Sequence, residues 1–312
     1  MFQIETQLND WFEDKQQRID AMNTEIAQAV LELVDSDKWQ QFLEASTGFH
    51  QYSFRNQLLI AIQRPSASKV ASKSFWLQHG RKLKPFGERG NGISILGGGK
   101  RRVVLRGEDG QPILDEEGNR QYQSFMSYRS VTVYDADQTI PIDPDDGVAM
   151  SLANRSDRTD DPERVQALLN FSRHLIEGAG YTIVEHPLSH NGRTDPANKI
   201  VKVDAGLGDL DKAMTMTHEM AHIYCGHVDG DILDYLTHRG QMEVEAEGVA
   251  YVLANHFGLA VHEDTTFYMA GWAQHYAKTN GLELEEALMA AGQNISTTVR
   301  RVLDGGEIDH DS

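Results

Sequence analysis

The stretch 209-DLDKAMTMTHEMAHIYCG-226 sets His218 and His222 four residues apart, with Glu219 directly after the first. Residues suited to burial recur around the pair at Leu210, Ala213, Met214, Thr217, Met220, Ala221 and Tyr224, the spacing of a helix with one buried face. Asp209 or Asp211 offers an N-cap and Gly226 a stop. On a helix, positions i and i+4 share a face, so both rings can turn a nitrogen toward one metal ion while Glu219 reaches a water beside it. That is the chemistry of H-E-x-x-H.

A hydrolytic zinc site takes three protein ligands and leaves one position open. The extended pattern with a third histidine six residues on fails here, because Cys225 stands where glycine is required and Val228 where histidine is required, His227 being one position off. A third ligand must therefore come from further along. The segment 240-GQMEVEAEGVAYVLANHFG-258 reads as a helix starting after the breaker Gly240, with Glu243, Glu245 and Glu247 in its first turns. Glu243 and Glu247 share a face and Glu245 does not. Glu243 is the expected third ligand, and Glu247 the carboxylate expected to accept the outer N–H of a ligand histidine. The expected ion is Zn2+, with Mn2+ or Co2+ as substitutes. Cys225 is the chain's single cysteine, which excludes a disulfide framework and a cysteine-rich zinc site; it reads as a packing residue. His174, His186 and His190 read as surface residues, and Tyr224, Tyr235 and His238 as unranked candidates to stabilise an oxyanion.

The rest of the chain has a different texture. Of 312 residues 40% are apolar, enough for a substantial core, and no run approaches the ~18 apolar residues of a membrane helix. The N-terminus lacks the order of a signal peptide, so a cytoplasmic protein with no membrane partner is expected. The net charge of −18 is unevenly spread: residues 48–135 carry 14 Lys+Arg against 7 Asp+Glu, a balance of +7, which leaves −25 elsewhere. Such asymmetry suggests an anion-binding module joined to another unit. In that segment Arg55, Lys73, Arg81, Lys82, Lys84, Arg89, Lys100, Arg101 and Arg102 interleave with Tyr52, Phe54, Trp76, Phe86, Tyr122, Phe125 and Tyr128. Cations neutralise phosphates and exposed rings stack on unpaired bases, the combination suited to single strands, although most of these rings are expected in the core.

Residues 1–45 have helical period, 53-SFRNQLLIAIQR-64 reads as a short helix, and 92–135 as antiparallel strands or hairpins. A proline- and aspartate-rich stretch at 141–160 reads as a linker. Beyond it come a helix over about 162–177, strands near 181-YTIVEH-186 and 199-KIVKVD-204, helices to about Leu303, and an acidic tail at 305–312. The expectation is α+β, with an N-terminal domain at 1–140 and a second at 161–304.

Five elements in order, 52-YSFRNQLLIAIQRP-65, 75-FWLQHGRKLKPFGERGNGISIL-96, 131-VTVYDADQT-139, 217-THEMAH-222 and 243-EVEAEGVAYVLANHFGL-259, resemble the ArdC-type antirestriction proteins of mobile elements. The last also resembles the E-x-x-A pattern of ImmA/IrrE-type metallopeptidases. The likeness covers about Tyr52 to Leu259; 97–121 matches no pattern of the family. It implies an N-terminal single-stranded-DNA-binding domain, with Asn56 of N-Q-L-L in its motif, and a C-terminal zincin-like metallopeptidase domain. It also implies an unidentified protein or peptide substrate, with Glu219 as general base. The competing expectation is a DNA-binding protective protein whose zinc site is structural. A metallopeptidase whose N-terminal module binds protein ranks below both.

Overall fold

The computed structural model describes residues 2–106, 111–115, 117–143, 159–230, 232–260 and 269–305, and for 2–15, 100–101, 125–126, 232–237 and 269–271 the backbone alone. Of the linker expected at 141–160 and the tail at 305–312, residues 144–158 and 306–312 fall outside these residues. The fold is α+β.

Two helices open the chain, α1 (Phe2–Glu32) and α2 (Ser36–Ser46), separated where Asp35 accepts hydrogen bonds from the amides of Asp37 and Lys38. Ile19, Met22, Ile26 and Val30 form the buried stripe of α1, and Leu33 just past its end is buried with them. Helix α3 (Phe54–Gln63) follows, then β1 (Val70–Ala71), α4 (Lys73–Gln78), β2 (Arg81–Leu83) and the single turn α5 (Phe86–Arg89). The strand-rich segment is one long antiparallel hairpin, β3 (Ile93–Val104) against β4 (Tyr122–Asp135), with β1 on the far side of β4. The smaller β5 (Thr139–Pro141) pairs with β2.

Helix α6 (Pro162–Gly178) begins as its sequence dictates, with Asp161 accepting from the Glu163 amide and proline in the first turn, where a missing N–H costs nothing. A second sheet follows, of β6 (Thr182–His186), β7 (Gly192–Asp195) and β8 (Ile200–Asp204) in the order β6-β8-β7. β6 runs parallel to β8, and β7 lies antiparallel on the outer edge. Helices α7 (Asp209–Tyr224), α8 (Ile232–His256), α9 (Met269–Asn280) and α10 (Leu284–Leu303) complete the chain.

Three local expectations are corrected. The α7 N-cap is Gly208, with no side-chain cap, and Asp209 and Asp211 sit in the first turn where their charge favours the helix dipole. Gly240 does not break the second helix, which starts at Ile232 and runs through it. A β-carbon at Gly240 would stand 2.8 Å from the Trp272 ring, so this glycine serves close packing of α8 on α9. Finally, β7 forms between the two expected strands, where no strand was expected.

Most of the described apolar core is one cluster, with a small separate one of Ala71, Trp76 and Ala136. The main cluster joins Trp39, Phe49 and Phe54 from the N-terminal helices to Met216, Leu253, Leu288 and Ile295 from α7, α8 and α10. Phe54 lies against Gly292, where a β-carbon would come within 2.2 Å of the ring. Gln57 spans the same contact, donating to the Ser296 hydroxyl at 3.0 Å.

Candidate metal centre

Helices α7 and α8 pack against each other and carry the site. His218 and His222 project from α7, which ends at Cys225 with Gly226 in the left-handed region, φ 80°. The Nε2 atoms of His218 and His222 lie 3.1 Å apart. Glu243 Oε2 on α8 is 3.3 Å from the first and 3.9 Å from the second. Ligand bonds of about 2.0–2.1 Å at a tetrahedral centre put donor atoms about 3.3 Å apart, so these three converge at the spacing of one face of such a centre. They are two imidazoles and a carboxylate, the donor set of a divalent transition metal.

The surrounding charges fit a cation. Burial pulls the His218 ring down, but hydrogen bonds with Glu243 and Glu247 outweigh it and hold the ring up at about 10. The His218 contact holds Glu243 down at about 2, against burial. Burial, reinforced by His218 and His227, lowers His222 to about 3. Two carboxylates thus enforce a positive charge here, and a bound cation would replace the proton that supplies it. Glu247 Oε2 stands 3.1 Å from His218 Nδ1, where it accepts that ring's outer N–H.

Glu219 is buried beside the histidines, and burial raises its carboxyl above the ordinary range. Thr194 on β7 donates its hydroxyl to Glu219 Oε2 at 2.7 Å. Gly192, on the same strand, lets the carboxylate approach: a β-carbon there would lie 3.2 Å from Glu219 Oε1 and 2.5 Å from Thr215 Cγ2. Neither β7 residue was singled out from the sequence, because a four-residue strand rich in polar side chains carries no hydrophobic alternation. His227 and Glu245 were also missed as partners of the site. His227 Nδ1 lies 2.9 Å from His222 Nδ1, and its Nε2 lies 2.8 Å from Glu245 Oε2.

The remaining candidates have other employment. Tyr224 is buried and donates to the Leu175 carbonyl, so its hydroxyl is turned from the metal ligands. His238 contacts Asn280, and the Tyr235 side chain lies outside those described. Burial pushes the Cys225 thiol up to about 12, which leaves it un-ionised and a poor nucleophile. His174 and His190 are exposed and His186 half-buried.

The basic segment divides. Trp76 has no exposed surface and donates its indole N–H to the Tyr134 carbonyl, so it cannot stack on a base. Asn56 is buried, its amide pairing with both backbone groups of Leu96 at 2.8 and 2.9 Å, which makes it a clamp between α3 and β3 rather than a DNA contact. Tyr52 is half-buried and donates to the Val70 carbonyl; burial raises its hydroxyl to about 12. Arg81 is turned onto Thr139. Arg55, Lys73, Lys82 and Arg102 are exposed, Lys84 and Arg89 half-buried, and the Lys100 and Arg101 side chains lie outside those described. Exposed rings do exist in this region, at positions the sequence did not rank: Phe86 at 64%, Tyr122 at 52% and Tyr128 at 47%. The Arg89 guanidinium sits 5.2 Å from the centre of the Phe86 ring.

An α+β fold bearing a two-histidine, one-carboxylate candidate centre on adjacent helices is what these residues build. The chain is similar to the crystal structure of the antirestriction ArdC protein from the R388 plasmid in its metal-free form, with 14% identity, 82% of this chain and 87% of that chain covered, and a TM-score of 0.45. For the Mn(II)-bound structure of the same protein the figures are 15%, 82%, 85% and 0.41. No protein-family model matches the chain, and no curated protein does.

Proposed function

We propose that the chain is a divalent-metal-dependent peptidase of the H-E-x-x-H type, with its N-terminal part, residues 1–140, binding single-stranded DNA. The observation that carries the first half is the convergence of His218 Nε2, His222 Nε2 and Glu243 Oε2 beside a buried glutamate. A divalent ion held by these three supplies Lewis acidity toward a carbonyl and acidifies water. The chain's own residues do the rest. Glu219, its carboxylate fixed by Thr194, takes the proton of the attacking water and delivers it to the leaving amine. Its raised basicity suits it to that exchange. β7 is one of the two edge strands of its sheet and carries Thr194, so an extended peptide pairing with that edge would run close to Glu219.

The second half rests on the +7 segment and its exposed rings and cations. Together with the sequence resemblance, it makes antirestriction the role in which both halves serve.

Two measurements test the reading. Zn2+ binding at one ion per chain, lost in His222→Ala, with cleavage of a quenched peptide mixture lost in Glu219→Gln, supports the peptidase; cleavage by Glu219→Gln at the wild-type rate removes it. Fluorescence anisotropy of a labelled single strand should show binding that weakens with salt and exceeds that of the matching duplex. Absence of binding at low salt removes the DNA half.

A further inference from the structure

Behind His222, on the side away from Glu243, lies a buried polar chain that the proposed hydrolysis does not use. His222 Nδ1 faces His227 Nδ1 at 2.9 Å, and His227 Nε2 faces Glu245 Oε2 at 2.8 Å. Glu245 is 1% exposed. Its Oε1 accepts from the Gln241 amide at 2.6 Å, and its Oε2 from the Asn294 amide. The Asn294 amide is itself oriented, because its Nδ2 also donates to the Cys225 carbonyl, which can only accept. Amide donors on both oxygens make Glu245 an acceptor.

Proton placement follows in order. His227 Nε2 must donate to Glu245, so in the neutral ring His227 Nδ1 is a lone pair. The facing His222 Nδ1 must then carry the hydrogen. That leaves the lone pair of His222 on Nε2, the nitrogen that converges with His218 Nε2 and Glu243. We propose that His227 and Glu245 are positioning residues that set the tautomer of His222 and hold its Nε2 ready for a metal ion. The inference rests on the metal-centre reading for its consequence, but the tautomer is a property of the protein without metal.

The arrangement mirrors the other ligand. His218 has its Nδ1 on a carboxylate directly, that of Glu247, whereas His222 reaches its carboxylate through a second imidazole. Glu245 occupies the face of α8 opposite Glu243 and Glu247, so one helix supplies the third ligand and the supports of both histidines.

The test is long-range 1H–15N correlation of the histidine rings in metal-free, 15N-histidine-labelled full-length protein, with signals assigned by their loss in His222→Ala and His227→Leu. The expected result is Nδ1–H for His222 and Nε2–H for His227; Nε2–H for His222 in the wild type overturns the proposal. The second measurement is Zn2+ affinity by competition with a chromophoric chelator. His227→Leu should lose about 10–100-fold, while His227→Gln, similar in size and with a carbonyl able to accept from His222, should recover most of it. Equal affinity of the Leu and Gln variants, each folded by circular dichroism, would reduce His227 to a packing residue. Should either variant fail to fold, the wild-type spectrum decides alone. Wild-type protein that shows the expected tautomers but binds no Zn2+ would refute the metal-centre reading and leave the tautomer assignment standing.

Discussion

Glu219 combines burial with a carboxyl fixed by Thr194, and that combination separates proton transfer from metal holding. Glu219→Gln should keep Zn2+ affinity within a few-fold, since the side chain is not among the three convergent donors. It should lower peptide cleavage by about 10²–10⁴, the usual worth of a positioned base. Equilibrium dialysis beside the cleavage assay reads both. Glu247→Ala should show the converse pattern: without an acceptor at His218 Nδ1, metal affinity falls about 10-fold or more, and saturating Zn2+ should restore most of the activity. An affinity equal to wild type would mean that the ring is held by its packing alone.

At the scale of elements, two glycines show how backbone closeness shapes the site and the core. Gly192→Ala would press a methyl against Thr215 and Glu219, so cleavage should drop about 10-fold or more while Zn2+ affinity is unchanged. Gly240→Ala sets two effects against each other. Alanine in a helix interior gains about 1 kcal/mol over glycine, whereas a methyl 2.8 Å from the Trp272 ring carries an overpacking cost of about 1–3 kcal/mol. The second should win, with a net loss of about 1 kcal/mol and a fall of about 2–4 °C in Tm by calorimetry.

The same comparison explains what was legible. Period revealed helix over the α1–α2 region and at α3, α6 and α7, because an amphipathic helix writes its buried face at fixed spacing, whereas the α7 N-cap was read one residue or more too late. That His218, Glu219, His222, Glu243 and Glu247 come together was legible because their spatial relations are local to two helices. Gly240 misled because glycine as a breaker and glycine as a packing gap look identical until the partner helix is in place. β7, Thr194 and the His227–Glu245 pair were illegible for a related reason: their meaning lies in contacts between distant segments. Trp76 and Asn56, candidates for DNA contact, both face the interior, because neither a run of rings and cations nor a short motif shows which way a side chain points.

For the whole molecule, the metal and the core each set a measurable quantity. If a cation binds the folded chain alone, chelation should lower stability by about 2.7 kcal/mol relative to protein held at 100-fold excess over Kd; a melting curve indifferent to chelator would argue that no ion is held. Gly292→Ala, which drives a methyl into Phe54 across the junction of N- and C-terminal helices, should destabilise by about 1–3 kcal/mol. Because the N- and C-terminal helices share the main apolar cluster, that loss should shift one shared thermal transition. Two separate transitions, with only one moved, would show that the halves unfold independently.

The contact between Phe54 and Gly292 also orders events in time. Helices α1 and α3 rest on α10, so these two elements find part of their apolar cover only in a helix synthesised more than two hundred residues later. Until residues 284–303 have emerged, the stripe of α1 and the ring of Phe54 lack that cover. The nascent chain therefore carries a half-covered N-terminal segment until α10 has emerged, and the packing of these helices is completed only then.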